Sequence, residues 1–100
     1  MDPDKQDLLI ADVVISTAGR DMGKLFYVIG MDDQYLQLVN GKDRTMEKPK
    51  CKKRKHAVKV LRSQTRVAEK LKTGDKVQNS ELRRDLAYIS RELQSRALGG

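Results

Sequence analysis

The sequence predicts a mainly β fold with an α-helical end: a small, strongly bent barrel of four or five short strands, then one or two helices. Short apolar, β-branched-rich runs recur over residues 11–61, separated by Gly, Asn and Asp. After residue 63 the apolar residues instead fall three and four apart, the spacing of a helix face. Aromatics make up only 4% of the 100 residues and Trp is absent, so the core has to be built from Val, Ile, Leu and Met. A chain of this size is one domain and buries about 65% of its unfolded surface, enough for one modest core.

The elements follow in order. Residues 1–8, with Asp2, Asp4 and Asp7, read as a frayed lead-in or a first helical turn. A first strand is expected over 11–16, with Val13 and Ile15 on one face and Val14 on the other. A second is expected over 24–30, where Phe26 and Tyr27 face opposite ways, one into the core and one outward. Residues 31–34 form a turn, because Asp side chains hydrogen-bond the nearby backbone. A third strand over 35–39 puts Leu36 and Leu38 on the core face and leaves Tyr35 near the surface. Asn40-Gly41 suits the central positions of a type I′ hairpin turn, since both tolerate positive φ, and so predicts a fourth strand over 43–47 that Pro49 ends. A short fifth strand is expected over 57–61.

Val67, Ala68 and Leu71 predict a helix over 64–72 that Gly74 stops. Asn79 or Ser80 caps a second helix reaching about Ser95, with Leu82, Leu86, Ile89 and Leu93 in one stripe. Its arginines, Arg83, Arg84, Arg91 and Arg96, either extend the basic surface or pair with Glu81, Asp85 and Glu92, and pairing is the expectation for most of them. Gly99-Gly100 is read as a loose tail. The division is thus a barrel over 1–62, including a basic arm at 48–56, and a helical extension over 63–100.

The net charge of +7 is unevenly placed. Residues 1–41 carry three Lys/Arg against seven Asp/Glu, residues 42–72 thirteen against three, and residues 73–100 five against four. A local cationic patch favours a polyanionic partner, whereas diffuse charge would serve solubility alone. The patch peaks at Lys48-Pro49-Lys50-Cys51-Lys52-Lys53-Arg54-Lys55-His56, where six of nine residues are Lys or Arg. Clustered like charges repel one another, so the clustering calls for a compensating anion, and phosphate is the expected one.

The second candidate feature is the polar loop Gly19-Arg20-Asp21-Met22-Gly23-Lys24 between the first two strands. Gly23 sits where the chain reverses and can take φ > 0. The glycines let backbone N–H groups approach a phosphate, Arg20 and Lys24 add charge-assisted contacts, and Asp21 braces the loop through local hydrogen bonds.

Val13, Ile15, Gly19, Asp21, Gly23, Lys24 and Val28 stand in an order that resembles the KOW motif, found in several large-subunit ribosomal proteins and in transcription elongation factors. The wider layout resembles small bacterial KOW-domain RNA-binding proteins similar to a ribosomal protein of archaeal and eukaryotic large subunits. In those an SH3-like barrel is followed by a basic arm of the Lys-Pro-Lys kind and a helical tail. Glu47-Lys48-Pro49-Lys50 and His56 fit the arm, and Asn79-Ser80-Glu81-Leu82-Arg83 fits the start of the tail helix. The resemblance implies an SH3-like barrel carrying a KOW hairpin, and binding of RNA, ribosomal RNA in particular.

The expected RNA-binding residues are therefore Gly19, Arg20, Asp21, Gly23 and Lys24 in the loop, and Lys48, Lys50, Lys52, Lys53, Arg54 and Lys55 in the arm. Ribosomal proteins are a further expected partner, and the free chain is expected to be a monomer. Two rival readings stay open: an SH3-like protein-interaction module, and a factor acting in ribosome assembly or transcription.

Other chemistries find little footing. The lone Cys51 and lone His56 cannot supply the four ligands of a structural zinc site, so no metal or cofactor is expected. No nucleophile–base set assembles around a single His and no phosphate loop of the P-loop kind is present, so no enzymatic activity is expected. The four aromatics, Phe26, Tyr27, Tyr35 and Tyr88, are each read as ordinary barrel packing or edge residues, and no base-stacking platform is expected. One cysteine allows no intramolecular disulfide, no apolar run approaches the ~20 residues of a membrane span, and the acidic start is unlike a targeting peptide. A cytoplasmic location is the expectation.

Overall fold

The computed structural model describes residues 7–99. Strands β1 (Asp12–Ser16), β2 (Leu25–Met31), β3 (Tyr35–Val39), β4 (Lys50–Lys53) and β5 (Ala57–Arg62) form one antiparallel sheet in the order β4-β3-β2-β1-β5. A single 3-10 turn, Arg54–His56, joins β4 to β5, and the helices α1 (Arg66–Thr73) and α2 (Asn79–Gly99) follow.

The two edge strands are not hydrogen-bonded to each other, so the sheet is not closed. It is strongly curled. The three-residue connection Arg54–His56 spans at most about 15 Å at 3.8 Å per Cα step. In a flat sheet β4 and β5 would stand about 19 Å apart, four spacings of 4.8 Å. Bulges help the bending, with register shifts in the β1–β5 and β2–β3 ladders.

Both faces of the sheet are covered. On the inner face Val14, Phe26, Val28, Leu36, Leu38 and Ala57 form one apolar cluster with Leu8. On the other, Val13, Tyr27 and Val39 pack against Val67 and Ala68 of α1 and Leu82, Leu86 and Ile89 of α2. Adjacent residues such as Val13/Val14 and Phe26/Tyr27 thus go to opposite cores. This corrects the expectation that only one of Phe26 and Tyr27 is inside: both are completely buried, because the helices cover the face that would otherwise meet water.

The helices follow the predicted periodicity. Thr65 caps α1, its hydroxyl accepting the Ala68 amide at 3.2 Å, and α1 ends at Gly74. The helix α2 extends past Ser95 to Gly99. Its first contact with the sheet is polar as well as apolar. The buried Tyr27 hydroxyl donates to Asp85 of α2 and lies 2.9 Å from the Ser63 hydroxyl, while Thr65 donates to Asp85 at 2.8 Å. Burial and the bond to Asp85 push the Tyr27 phenol up to about 12.

The predicted strand over 43–47 is not formed, and Asn40-Gly41 is not a two-residue hairpin turn. The Asn40 side chain accepts the amides of Lys42 and Arg44 at 3.0 and 3.1 Å, and the Arg44 carbonyl accepts those of Asn40 and Gly41 at 2.8 and 2.9 Å. The chain thereby curls on itself. A Cβ at Gly41, where φ is +77°, would lie 2.2 Å from the Asn79 carbonyl oxygen, so only glycine lets this loop meet the start of α2. Asn79 then holds the next stretch, accepting the Met46 amide and donating to Glu47, each at 2.9 Å. The place beside β3 is left to Lys50–Lys53, so much of the expected basic arm is a strand.

The expected lead-in of residues 1–8 lies outside the described residues up to residue 6. From Asp7 to Ala11 the chain is not helical. Asp12, wholly buried, accepts the Leu9 amide at 2.8 Å and pairs with Arg62 at 3.0 Å, tying this entry to β5.

Candidate nucleic-acid interface

The β1–β2 loop, residues 17–24, is folded around one carboxylate. Asp21 Oδ1 accepts from the Ser16 hydroxyl at 2.8 Å and lies 3.1 Å from Lys52 Nζ; its Oδ2 lies 3.4 Å from Lys50 Nζ. Lys52 also donates to the Ala18 carbonyl at 2.9 Å. Burial acts to raise the Asp21 carboxyl, but hydrogen bonds from Ser16 and Lys52 and the charges of both lysines hold it below the usual carboxylate range.

The alternation of β4 makes this possible. Lys50 and Lys52 stand opposite Leu38 and Leu36 and share their face, at the rim of the inner core where the loop folds over. Cys51 and Lys53 take the other face. The loop is joined to the 3-10 turn as well, through Thr17 N–H to the His56 carbonyl at 2.9 Å. That turn is held on its far side by Arg54 N–H to the Gln34 carbonyl at 2.8 Å. Loop 17–24, β4, the 3-10 turn and the turn at 32–34 are therefore one contiguous surface.

The predicted residues divide by role within it. Gly19 and Gly23 both take positive φ, +86° and +89°. The amides of Met22, Gly23 and Lys24 are used inside the loop or at its base, on the carbonyls of Gly19, Ser16 and Asp21, and are not free for a ligand. Arg20 is exposed, with no carboxylate partner among the described residues. Lys24 is paired at 2.9 Å with Asp43 from the β3–β4 loop. Hydrogen bonds from Asn40 and Lys24 bring the Asp43 carboxyl down to about 2.

In the basic run Lys52 is buried and Lys50 is partly covered, both committed to Asp21. Arg54 is half-buried and donates to the Asp32 carbonyl at 3.0 Å. Lys48, Lys53 and Lys55 are exposed and have no carboxylate partner among the described residues. Lys53 and Lys55 line a polar cleft of about 330 Å³ with Asp33 and Gln34.

Sequence reasoning missed a second cleft, of about 370 Å³, between this loop and α2, where Gly23 and Lys24 meet Lys42, Asp43 and Arg83. Residues so distant in the chain carry no spacing signal. It also misassigned the acids of α2: Glu81 pairs with Lys70 at 2.7 Å, Asp85 faces Tyr27 and Thr65, and Arg83 donates to the Gly41 carbonyl at 2.6 Å.

Among the described residues no three His, Cys, Asp or Glu side chains gather as metal ligands do, and no helix is long and apolar enough to cross a membrane. No family model matches the chain, and no curated protein matches it.

Proposed function

We propose that the chain is a non-catalytic RNA-binding protein of the translation apparatus, cytoplasmic and ribosome-associated, whose curled sheet is an SH3-like barrel and whose loop 17–24 is a KOW-type hairpin. The observation that carries the reading is the junction at Asp21, which ties the glycine-bearing loop to the basic strand, with Arg20, Lys53 and Lys55 exposed around it. Exposed cations beside a rigid backbone suit phosphate, and such contacts position a protein on RNA without reading its sequence. In this reading Lys52 and Lys50 are structural, and Arg20, Lys48, Lys53 and Lys55 meet the ligand.

The test is binding to structured ribosomal RNA fragments and to mixed tRNA across a salt series, for the wild type and for Arg20→Ala with Lys53→Ala and Lys55→Ala. Fragment-selective binding that weakens in the variant supports the proposal. Weak, unselective binding that disappears by physiological salt overturns it. One observation favours a protein-docking role instead: Met22 at the loop tip is 65% exposed. Loss of a ribosomal-protein contact in Met22→Ser, with RNA binding unchanged, would select that reading.

A further inference from the structure

The outer side of α2 carries an aromatic ring in water. Tyr88 is 54% exposed, while Phe26 and Tyr27 are in the cores and Tyr35 is half-buried. Arg84 stands one turn before it and Arg91 one turn after, on the same side of the helix. Tyr88 forms a ridge between two clefts. One, of about 270 Å³, is lined by Arg66 and Val67 of α1 and by Glu81, Arg84 and Asp85 of α2. The other, of about 350 Å³, is walled by Ile89 and Leu93 and rimmed by Gln64, Arg62 and Arg96.

Two acids beside this ridge, Glu81 and Asp85, already hold other partners. Asp85 accepts from Thr65 and Tyr27, and Glu81 holds Lys70 at 2.7 Å and the Gln78 amide at 2.9 Å. Arg84, Arg91 and Arg96 have no carboxylate partner within 4.0 Å among the described residues; Arg66 makes no ion pair within that distance, though its charge helps to lower the Glu81 carboxyl, and Glu92 at the other cleft is likewise unpaired. An exposed planar ring, a cleft with an apolar wall of Ile89 and Leu93 on one side of it and guanidinium groups on both sides together match a nucleotide: the ring and apolar wall take the base, and the guanidinium groups take the flanking phosphates.

We infer that Tyr88, with Arg66 and Arg84, forms a second nucleic-acid contact that stacks an unpaired base of single-stranded RNA. It rests on the RNA-binding reading for the class of polymer, not for the surface. Arg83, Leu86, Ala87 and Ser90 line the cleft beside Gly23 and Lys24 on the other flank of α2, so the helix separates the two contacts. An acidic peptide would satisfy the arginines but leave the ring and its flanking clefts without a planar guest.

The full chain with Tyr88→Trp tests this, since the sequence holds no other tryptophan and the new indole reports stacking directly. Short oligoadenylate and oligouridylate are titrated against it, with circular dichroism to check the fold. Saturable quenching is expected. Tyr88→Ala should weaken binding of the labelled oligonucleotides about fivefold or more, and Arg66→Ala with Arg84→Ala should lower the salt slope. Quenching that persists in Lys53→Ala/Lys55→Ala upholds the site even if the interface at β4 fails its own test. Loss of structured-RNA binding in that double variant, with no quenching at position 88, overturns the site and leaves the interface standing. Quenching by a poly-glutamate peptide but not by the oligonucleotides overturns it in favour of a protein partner.

Discussion

Lys52 Nζ lies 3.1 Å from Asp21 Oδ1, and the two side chains are only 7% and 10% exposed. The residue at the centre of the basic run is thus the one least available to a ligand. Its ammonium is enclosed by Asp21 and the Ala18 carbonyl, and it does for the loop what a cross-link would do. Lysines adjacent in sequence therefore divide into a structural set and a surface set, and substitutions separate them.

Lys52→Ala leaves the Asp21 carboxylate buried with one fewer partner. Breaking a buried pair by removing one member costs about 3 kcal/mol or more. Lys53→Ala and Lys55→Ala, at exposed positions, should stay within about 0.5 kcal/mol of the wild type. Urea unfolding measures all three, and equal effects would disprove the division.

The acid limb of stability should depend on Asp21. Its folded value is depressed below the ordinary 3.8, so its contribution is present above pH 3.8 and is lost as the pH falls through the folded value. Asp43, brought down to about 2 by Asn40 and Lys24, adds a smaller, solvent-screened contribution between about pH 4 and 2. Asp21→Asn should be less stable at neutral pH and lose less on acidification below pH 4. Chemical denaturation repeated across pH reads this directly; an acid limb parallel to the wild type's would clear Asp21 of the role.

At the proposed RNA surface, each of Arg20, Lys53 and Lys55 changed to Ala should reduce the slope of log K against log salt by about 0.7–0.9. Asp43→Asn should act the other way, releasing Lys24 from its 2.9 Å ion pair and tightening binding. Anisotropy of a labelled RNA across a salt series gives both signs, and tighter binding in Asp43→Asn is the more discriminating result.

Alkaline unfolding should report on Tyr27. Its phenol is raised from 10 to about 12 by burial and its bond to Asp85. The stabilisation is complete below pH 10 and is lost as the pH rises through about 12. Tyr27→Phe should cost about 1–3 kcal/mol at neutral pH, since it withdraws one donor from half-buried Asp85 and leaves the buried ring without its hydroxyl bonds. It should also remove the part of the alkaline decline that lysine titration does not explain. An unchanged difference between pH 9 and 12 would count against this account.

Much of the architecture was legible because hydrophobic period fixes it. The three strands around Val13, Phe26 and Leu36 and the stripe Leu82-Leu86-Ile89-Leu93 lie where their spacing requires. What was not legible was decided by contacts distant in sequence. Nothing in Lys50-Cys51-Lys52-Lys53 advertises a strand; it pairs with β3 because the Asn40–Arg44 loop and Asn79 carry the intervening chain away along α2. Apolar residues at successive positions, as in Val13-Val14 and Phe26-Tyr27-Val28, did hold the signal for burial on both faces. For the interface, Asp21 was legible as a brace from its place between two glycines, but not its partner Lys52.

The strand β4 is one open border of the sheet, and three of its four residues are lysine. An open border is a template on which another chain can add hydrogen bonds and begin an aggregate. Here an incoming strand would have to draw Lys50 and Lys53 out of water and crowd the enclosed Lys52, in return for only four residues of ladder. The lysines along this border thus guard it against runaway self-assembly.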